Sequence, residues 1–188
     1  MMKKTNTRDA LIEAGIREIH ANGLQNFSIR RVAASCGISC ATPYKHFKDR
    51  DDFILAMFRY VNQQWYAIQS ELVSAPLSPR EMILETCITY IHFLVDNTSY
   101  HTLVLTKNEN LNETQIKERS EISEISKKLI DTYCRQVQMP EEDRVRKTFL
   151  VRSLLYGAAI MIDNGQLANS PETYEMIRST IAREFDLP

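Results

Sequence analysis

The chain has 188 residues, 44% of them hydrophobic and 25% charged, with a formal net charge of −1. That is long enough for one or two small domains with a real core, and the mixture excludes a disordered or fibrous chain. The near-neutral total carries no information on partners, but its distribution does. Residues 1–50 hold nine Lys and Arg against four Asp and Glu, and residues 51–188 hold fourteen against twenty. A basic amino-terminal third on an acidic body fits a nucleic-acid-reading head joined to a domain with another task. Five glycines and few β-branched alternations argue for an all-α fold.

The cysteines, Cys36, Cys40, Cys87 and Cys134, form no Cys-x-x-Cys, and no histidines fall at zinc spacing. They read as buried or incidental thiols, although Cys36 and Cys40 straddle a turn in the arrangement of a redox pair. Met1 to Asp9 is polar and no apolar stretch follows, so no signal peptide is expected. The longest apolar run, Leu154–Ile162, is about half a membrane span. The protein is expected in a reducing cytoplasm, with no membrane partner, no cofactor and no metal.

In chain order, Thr7 is the expected N-cap of a first helix whose buried side is Ala10, Leu11, Ala14, Ile16 and Ile19, stopped by Asn22-Gly23. Lys3, Lys4 and Arg8 make a basic arm. Ser28 caps a second helix, with Phe27 packing on Val32 as a staple. Arg30 and Arg31 stand in its first turn, where a DNA backbone would pass. The stretch from Ala33 to Ser39 then has helix-turn-helix spacing. Ala33 is small enough for a second helix to come close. Gly37 can take the left-handed conformation that ends the first helix. Ile38 plugs the crevice, and Ser39 can cap the next helix.

Val32, Ile38, Pro43 and Phe47 face inward in this reading. Ser39, Cys40, Thr42, Tyr44, Lys45 and His46 remain outside as a polar face suited to the major groove. Pro43 lacks a backbone donor and disfavours α geometry at Thr42, so the recognition helix should be short. Asp51 opens a long helix to about Ser74, apolar at Phe53, Ile54, Met57, Phe58, Val61, Trp65 and Ile68.

Residues Thr42 to Phe53, TPYKHFKDRDDF, resemble the recognition helix and following helix start of the TetR (tetracycline-repressor) family of transcriptional regulators. The family pattern there is Thr-apolar-Tyr-x-His/Tyr-Phe, and Pro43 sits where Leu or Ile is commoner. The resemblance implies a nine-helix architecture, with a three-helix head in residues 1–50 and a ligand-binding, dimerising helical bundle in residues 51–188. It also implies that Arg30, Cys40, Ala41 and His46 approach bases, while Ser28, Thr42, Tyr44, Lys48 and Arg50 hold phosphates.

Behind the linker Ala75-Pro76-Leu77, the run Ser78-Pro79-Arg80-Glu81 combines a capping box with proline at N1. Its helix is apolar at Ile83, Leu84, Cys87, Tyr90, Ile91, Leu94 and Val95. Asn97-Thr98-Ser99 breaks it before a short Tyr100–Thr106 helix, and a charged helix is expected over Glu113–Gln138. Pro140 and three acids open another helix, apolar nearly all round from Phe149 to Ile162, which predicts burial on more than one side. Ser170-Pro171-Glu172 starts the last. The elements add up to nine.

No catalytic motif stands out: His20, His46, His92 and His101 match no ligand spacing, and there is no phosphate loop or nucleophile elbow. His92 and Asp96, one turn apart, read as a structural hydrogen-bonded pair. The body is read as a receiver of an unknown small molecule, with Trp65, Tyr66, Tyr90, His92, Phe93, Tyr100, His101 and Arg152 as candidate lining. Leu154, Leu155, Gly157, Ala158, Ala159 and Ile162 are the candidate homodimer interface. The expected function is repression by binding a palindromic double-stranded DNA operator, relieved by that ligand. A DNA-binding protein without an effector and a helical protein–protein adaptor are the alternatives.

Overall fold

The computed structural model describes residues 6–185 except Thr106. Among them are nine α-helices and no strand: α1 (Thr7–Asn22), α2 (Ile29–Ser35), α3 (Arg50–Val73), α4 (Pro79–Asp96), α5 (Thr98–Val104), α6 (Glu113–Glu121), α7 (Glu124–Gln136), α8 (Glu141–Asp163) and α9 (Pro171–Phe185). The total agrees with expectation through two differences that cancel. The expected recognition helix is only a three-residue 3-10 turn, Pro43–Lys45. The expected helix over 113–138 is two, broken at Ile122-Ser123. On one continuous helix Ile116 and Ile122 would stand about 120° apart, so no single apolar stripe could have held it together. Lys3, Lys4 and the expected helix end at Thr106 lie outside the described residues.

The chain forms two compact units, residues 1–64 with 99–122, and 65–98 with 123–188. The first unit therefore runs past the expected boundary at residue 50. The reason is packing, since the first half of α3 is core to it. Phe53 is fully buried there. Phe47 stacks on it at 3.9 Å between ring centroids, with the planes 8° apart, and Phe27 meets it edge-on at 5.4 Å. Phe27 thus packs on Phe53 in the role expected of Val32. Gly15 of α1 lies so close to α3 that a Cβ there would stand 2.9 Å from Met57 Sδ and 3.1 Å from the Phe53 ring. The N-cap of α1 is Asn6, not Thr7, its side chain accepting from the Arg8 amide.

In the same unit α6 is tied to α3 by polar contacts. Gln115, buried inside a capping box with Asn112, donates to the Asp51 carbonyl at 3.1 Å. Asn62 donates to the Glu118 carbonyl at 2.8 Å, and Arg59 pairs with Glu118 at 3.2 Å. Tyr60 donates to Glu13 at 2.7 Å, and with burial this carboxylate raises the phenol's pKa well above its ordinary value.

The second unit is built on α4, which packs against α7, α8 and α9. Met82, Ile83, Leu84, Cys87, Ile88, Tyr90, Ile91, Phe93 and Leu94 are all buried. The expected capping box is present at Ser78 and Glu81. Within the single chain α8 is covered on one side only. Val151, Leu155, Ala158, Ala159 and Ile162 face the core, while Phe149, Leu150, Ile160 and Met161 are exposed. Helix α4 is the one enclosed by neighbours. No helix among the described residues is long and apolar enough to cross a membrane.

Because both phenylalanines reach the first unit's core through Phe53, Phe53→Ala is expected to lower stability by about 3–5 kcal/mol. Urea unfolding of the full chain, followed by circular dichroism, measures this. A loss below about 1 kcal/mol would show that the aromatic cluster closes up without it.

Candidate nucleic-acid interface and ligand cavity

The turn after α2 is built by backbone geometry. Gly37 has φ +66°, in the left-handed region where a side chain is strained. Its N–H donates to the Ala34 carbonyl at 3.1 Å, and the Ile38 N–H to the Ala33 carbonyl at 3.0 Å. These two bonds are the Schellman arrangement that terminates a helix. Ser28 caps the other end of α2, accepting from the Arg31 amide.

The segment beyond Gly37 hangs on two side chains. Pro43 and Phe47 are buried, four residues apart, and fix the backbone between them. Thr42 takes α geometry (φ −63°, ψ −43°) despite the proline that follows, which corrects the expectation for that residue. A turn bond from its amide to the Ser39 carbonyl at 3.0 Å holds it. Ser39 caps no helix; its hydroxyl pairs with that of Thr42 at 2.9 Å.

Arg30, Arg31, Ser39, Cys40, Ala41, Tyr44, Lys45 and Lys48 are exposed, and Ser28, Thr42, His46 and Arg50 are half-buried. Among the described residues, Arg30, Lys45 and Lys48 are in no side-chain ion pair. Arg31 and Arg50, by contrast, are engaged within the unit. Arg31 pairs with Glu18 at 2.5 Å and donates to the Asn26 carbonyl. Arg50 donates to the Leu24 carbonyl at 2.6 Å and lies 5.9 Å from the Phe27 ring centroid. Arg8, read in the sequence as part of a basic arm, instead covers the Phe47 ring with its guanidinium at 5.3 Å.

Of the candidate ligand residues, the second unit brings together Trp65, Tyr90, Phe93 and Arg152. Trp65 lies 5.0 Å from Tyr90 and 5.3 Å from Phe93, ring centroid to centroid. Burial raises the Tyr90 pKa well above its ordinary value, the neighbouring Tyr156 adds to this, and Arg152 opposes it. Tyr66 is exposed. His92 is exposed too and stacks on Tyr174 at 3.9 Å, in place of the expected bond to Asp96. Tyr100 and His101 belong to the first unit.

Two residues of this region were not foreseen. Tyr156 faces Tyr90 at 6.2 Å. Gln69 is buried with neither end of its amide bonded, and the buried Trp65 indole N–H also has no acceptor. Gln69 stands one turn after Trp65, on the buried stripe of α3, and a polar residue on such a stripe is the signal that was available. Beside the cluster, an almost closed cavity of about 10 Å³ touches Tyr90, Val151, Arg152, Leu155 and Tyr156. An open groove of about 600 Å³ lies between α7 and α8, with Arg152 and Tyr156 in its wall as well.

The candidate dimer residues divide. Leu155, Ala158, Ala159 and Ile162 are buried within the single chain and present no face to a second copy. Leu154 and Gly157 are half-buried, and a Cβ built on Gly157 meets nothing within 4 Å. The exposed apolar residues nearby are Leu150, Ile160 and Met161 on α8 and Met176 on α9.

Residues 11–57 match the family described as "Bacterial regulatory proteins, tetR family". A "Fatty acid metabolism regulator protein" of Bacillus subtilis is 21% identical over 117 residues, 62% of this chain and 59% of that one. An "Uncharacterized HTH-type transcriptional regulator" of Haemophilus influenzae is 26% identical over 105 residues, 55% of this chain and 51% of the other. The chain thus spans between half and three-fifths of the length of these relatives. A TetR family transcription regulator from Marinobacter aquaeolei has the same fold, with TM-score 0.77, 20% identity and 94% of each chain covered. So does a fatty acid degradation regulator from Bacillus halodurans, with TM-score 0.75, 13% identity and 96% of each chain covered.

The thiols should differ sharply in reactivity. Cys40 is exposed, whereas Cys87 is enclosed and burial pushes its pKa up to about 12. Since the thiolate is the reacting form, Cys40 should be labelled quickly at pH 8 and Cys87 only after unfolding. Mass spectrometry after alkylation of native and urea-treated protein checks this. Labelling of native Cys87 at the rate of Cys40 would contradict the burial.

Proposed function

We propose that the chain is a helix-turn-helix transcriptional regulator of the tetR family of bacterial regulatory proteins, a repressor released from a palindromic operator by a small molecule. The observation that carries the DNA reading is the surface between Ser39 and Lys48. It is exposed and polar, pinned from behind by Pro43 and Phe47, and Lys45, Lys48 and nearby Arg30 are not neutralised by side-chain partners. Phosphate contacts set position, and base contacts set sequence. Lys45, Lys48 and Tyr44 take the first role together with Ser28 and Thr42. Arg30, Cys40, Ala41 and His46 take the second. Arg31 and Arg50 act mainly by holding the head together, through Glu18 and the Leu24 carbonyl.

Residues 1–50 are the DNA-reading domain in this proposal, and residues 51–188 bind ligand and dimerise. So short a recognition segment covers few base pairs, so two copies reading a two-fold operator supply the specificity. Leu150, Leu154, Gly157, Ile160, Met161 and Met176 are the docking face, with the bare Gly157 allowing close helix approach. The effector enters the second unit at the α7–α8 groove, whose wall residues Arg152 and Tyr156 also border the small cavity beside Tyr90, itself packed on Trp65. An apolar effector is supported by those rings and by relatives named for fatty acid metabolism.

Helix α3 carries both Phe53 and Trp65, so it is the covalent route by which the ligand acts on the head. Two recognition segments match successive major grooves near 34 Å, and a ligand favouring another arrangement by about 1–3 kcal/mol would weaken binding about 5- to 150-fold.

The test is binding to the region upstream of the protein's own gene. Lys48→Ala and Tyr44→Phe should each weaken binding, and Lys48→Ala should lower the salt slope by about 0.9. Unchanged affinity and slope in both would refute the phosphate assignment. Sedimentation should show a dimer at micromolar concentration, and a monomer that still binds tightly would remove the two-fold reading.

A further inference from the structure

We infer that the effector is an amphiphile with a single carboxylate, held by Arg152 at the wall shared by the α7–α8 groove and the inner cavity. This rests on the effector reading given above and adds the chemistry of the head group. Three guanidiniums, Arg135, Arg144 and Arg152, line the groove against two carboxylates, Asp131 and Glu141. Asp131 is shared, at 2.7 Å from Arg135 and 2.6 Å from Arg144, and Glu141 lies 3.9 Å from Arg144. The Arg135 bond, reinforced by Arg144, holds the Asp131 carboxyl below its ordinary pKa, so that side of the groove is internally compensated.

Arg152 is left over. Among the described residues it is in no ion pair and no hydrogen bond, and its Nε is buried without an acceptor. A half-buried cation costs stability unless something pairs with it, and the groove carries one positive charge in excess. The guanidinium is a planar fork that matches a carboxylate through two parallel bonds. Tyr90 and Tyr156 flank it with phenols, and both border the inner cavity.

The body of the ligand follows from the same wall. Val145 and Phe149 are one turn apart on α8, 65% and 67% exposed, and both line the groove. They offer an apolar rail leading away from Arg152. A space of about 600 Å³ is the size of an ordinary small-molecule site. One anionic end and one apolar stretch therefore describe the occupant.

The test uses the full-length protein and three series of probes: straight-chain carboxylates from hexanoate to hexadecanoate with 3-phenylpropionate, their primary amides, and their amines. Binding is read by calorimetry and by the fluorescence of Trp65. At least one carboxylate should bind roughly tenfold or more tightly than its amide, and the amine should bind weakest. Arg152→Ala should erase the preference for acid over amide, the acid losing more affinity than the amide, and Arg152→Lys should keep part of it. The inference is overturned if acid and amide bind equally, if no carboxylate binds, or if the preference survives in Arg152→Ala. It is also overturned if Arg152→Ala dissociates the dimer, which would make the groove part of the interface. Amides that bind and release operator would remove the carboxylate yet keep the effector reading. A broad metabolite screen with no compound releasing operator would remove the effector itself.

Discussion

The parallel stack of Phe47 on Phe53 is the constraint on which the DNA-reading surface depends. Phe47 closes the segment that presents Tyr44 and Lys45, and Phe53 belongs to the first turn of α3. Because Phe27 also rests on Phe53, the entry to α2 and the exit from the recognition segment share one anchor. Around it, Gly15 lets α1 approach α3 at a distance that any side chain would obstruct. The arginines at the edge of this cluster follow the same logic, Arg8 covering Phe47 and Arg50 covering Phe27. Charged heads stay wet while their faces shield aromatic carbon.

Much of this was legible from residue types at fixed spacing. The Ser28 cap, the left-handed Gly37, the Ser78 capping box and the buried pair Pro43 and Phe47 each follow from local chemistry, and all are present. One error came from treating local pattern as continuous. A run of charged residues from Glu113 to Gln138 has good helix propensity throughout, but its apolar positions change face at Ile122. The recognition helix was expected to be short because of Pro43. What local rules could not supply is that two buried anchors would hold a 3-10 turn there without a helix.

The second unit was less legible, for a physical reason. Apolar content does not say which helix is central, since a helix can carry apolar residues for its own chain or for a partner. Helix α8 looked enclosed because it is apolar all round, yet half of that surface is exposed in the single chain. Helix α4, with ten of its 18 residues buried against six of 23 in α8, takes the central place. The polar atoms buried nearby were equally invisible: Gln69 reads as an ordinary surface glutamine until α3 is seen to turn it inward with Trp65. The head group chemistry inferred at Arg152 likewise depends on knowing that Asp131 is already taken.

In the head, the residues that hold the fold and those that face outward are different sets. Gly37, Pro43, Phe47 and Phe53 fix the backbone, while Cys40, Ala41, Tyr44 and Lys45 touch little behind them. Surface substitutions away from such anchors usually change stability by no more than about 0.5 kcal/mol. The outward set can therefore drift, or be randomised in a library, without endangering the scaffold. In a lineage whose members bind different sites, this separation lets new recognition arise by few substitutions while the same small aromatic core is inherited unchanged.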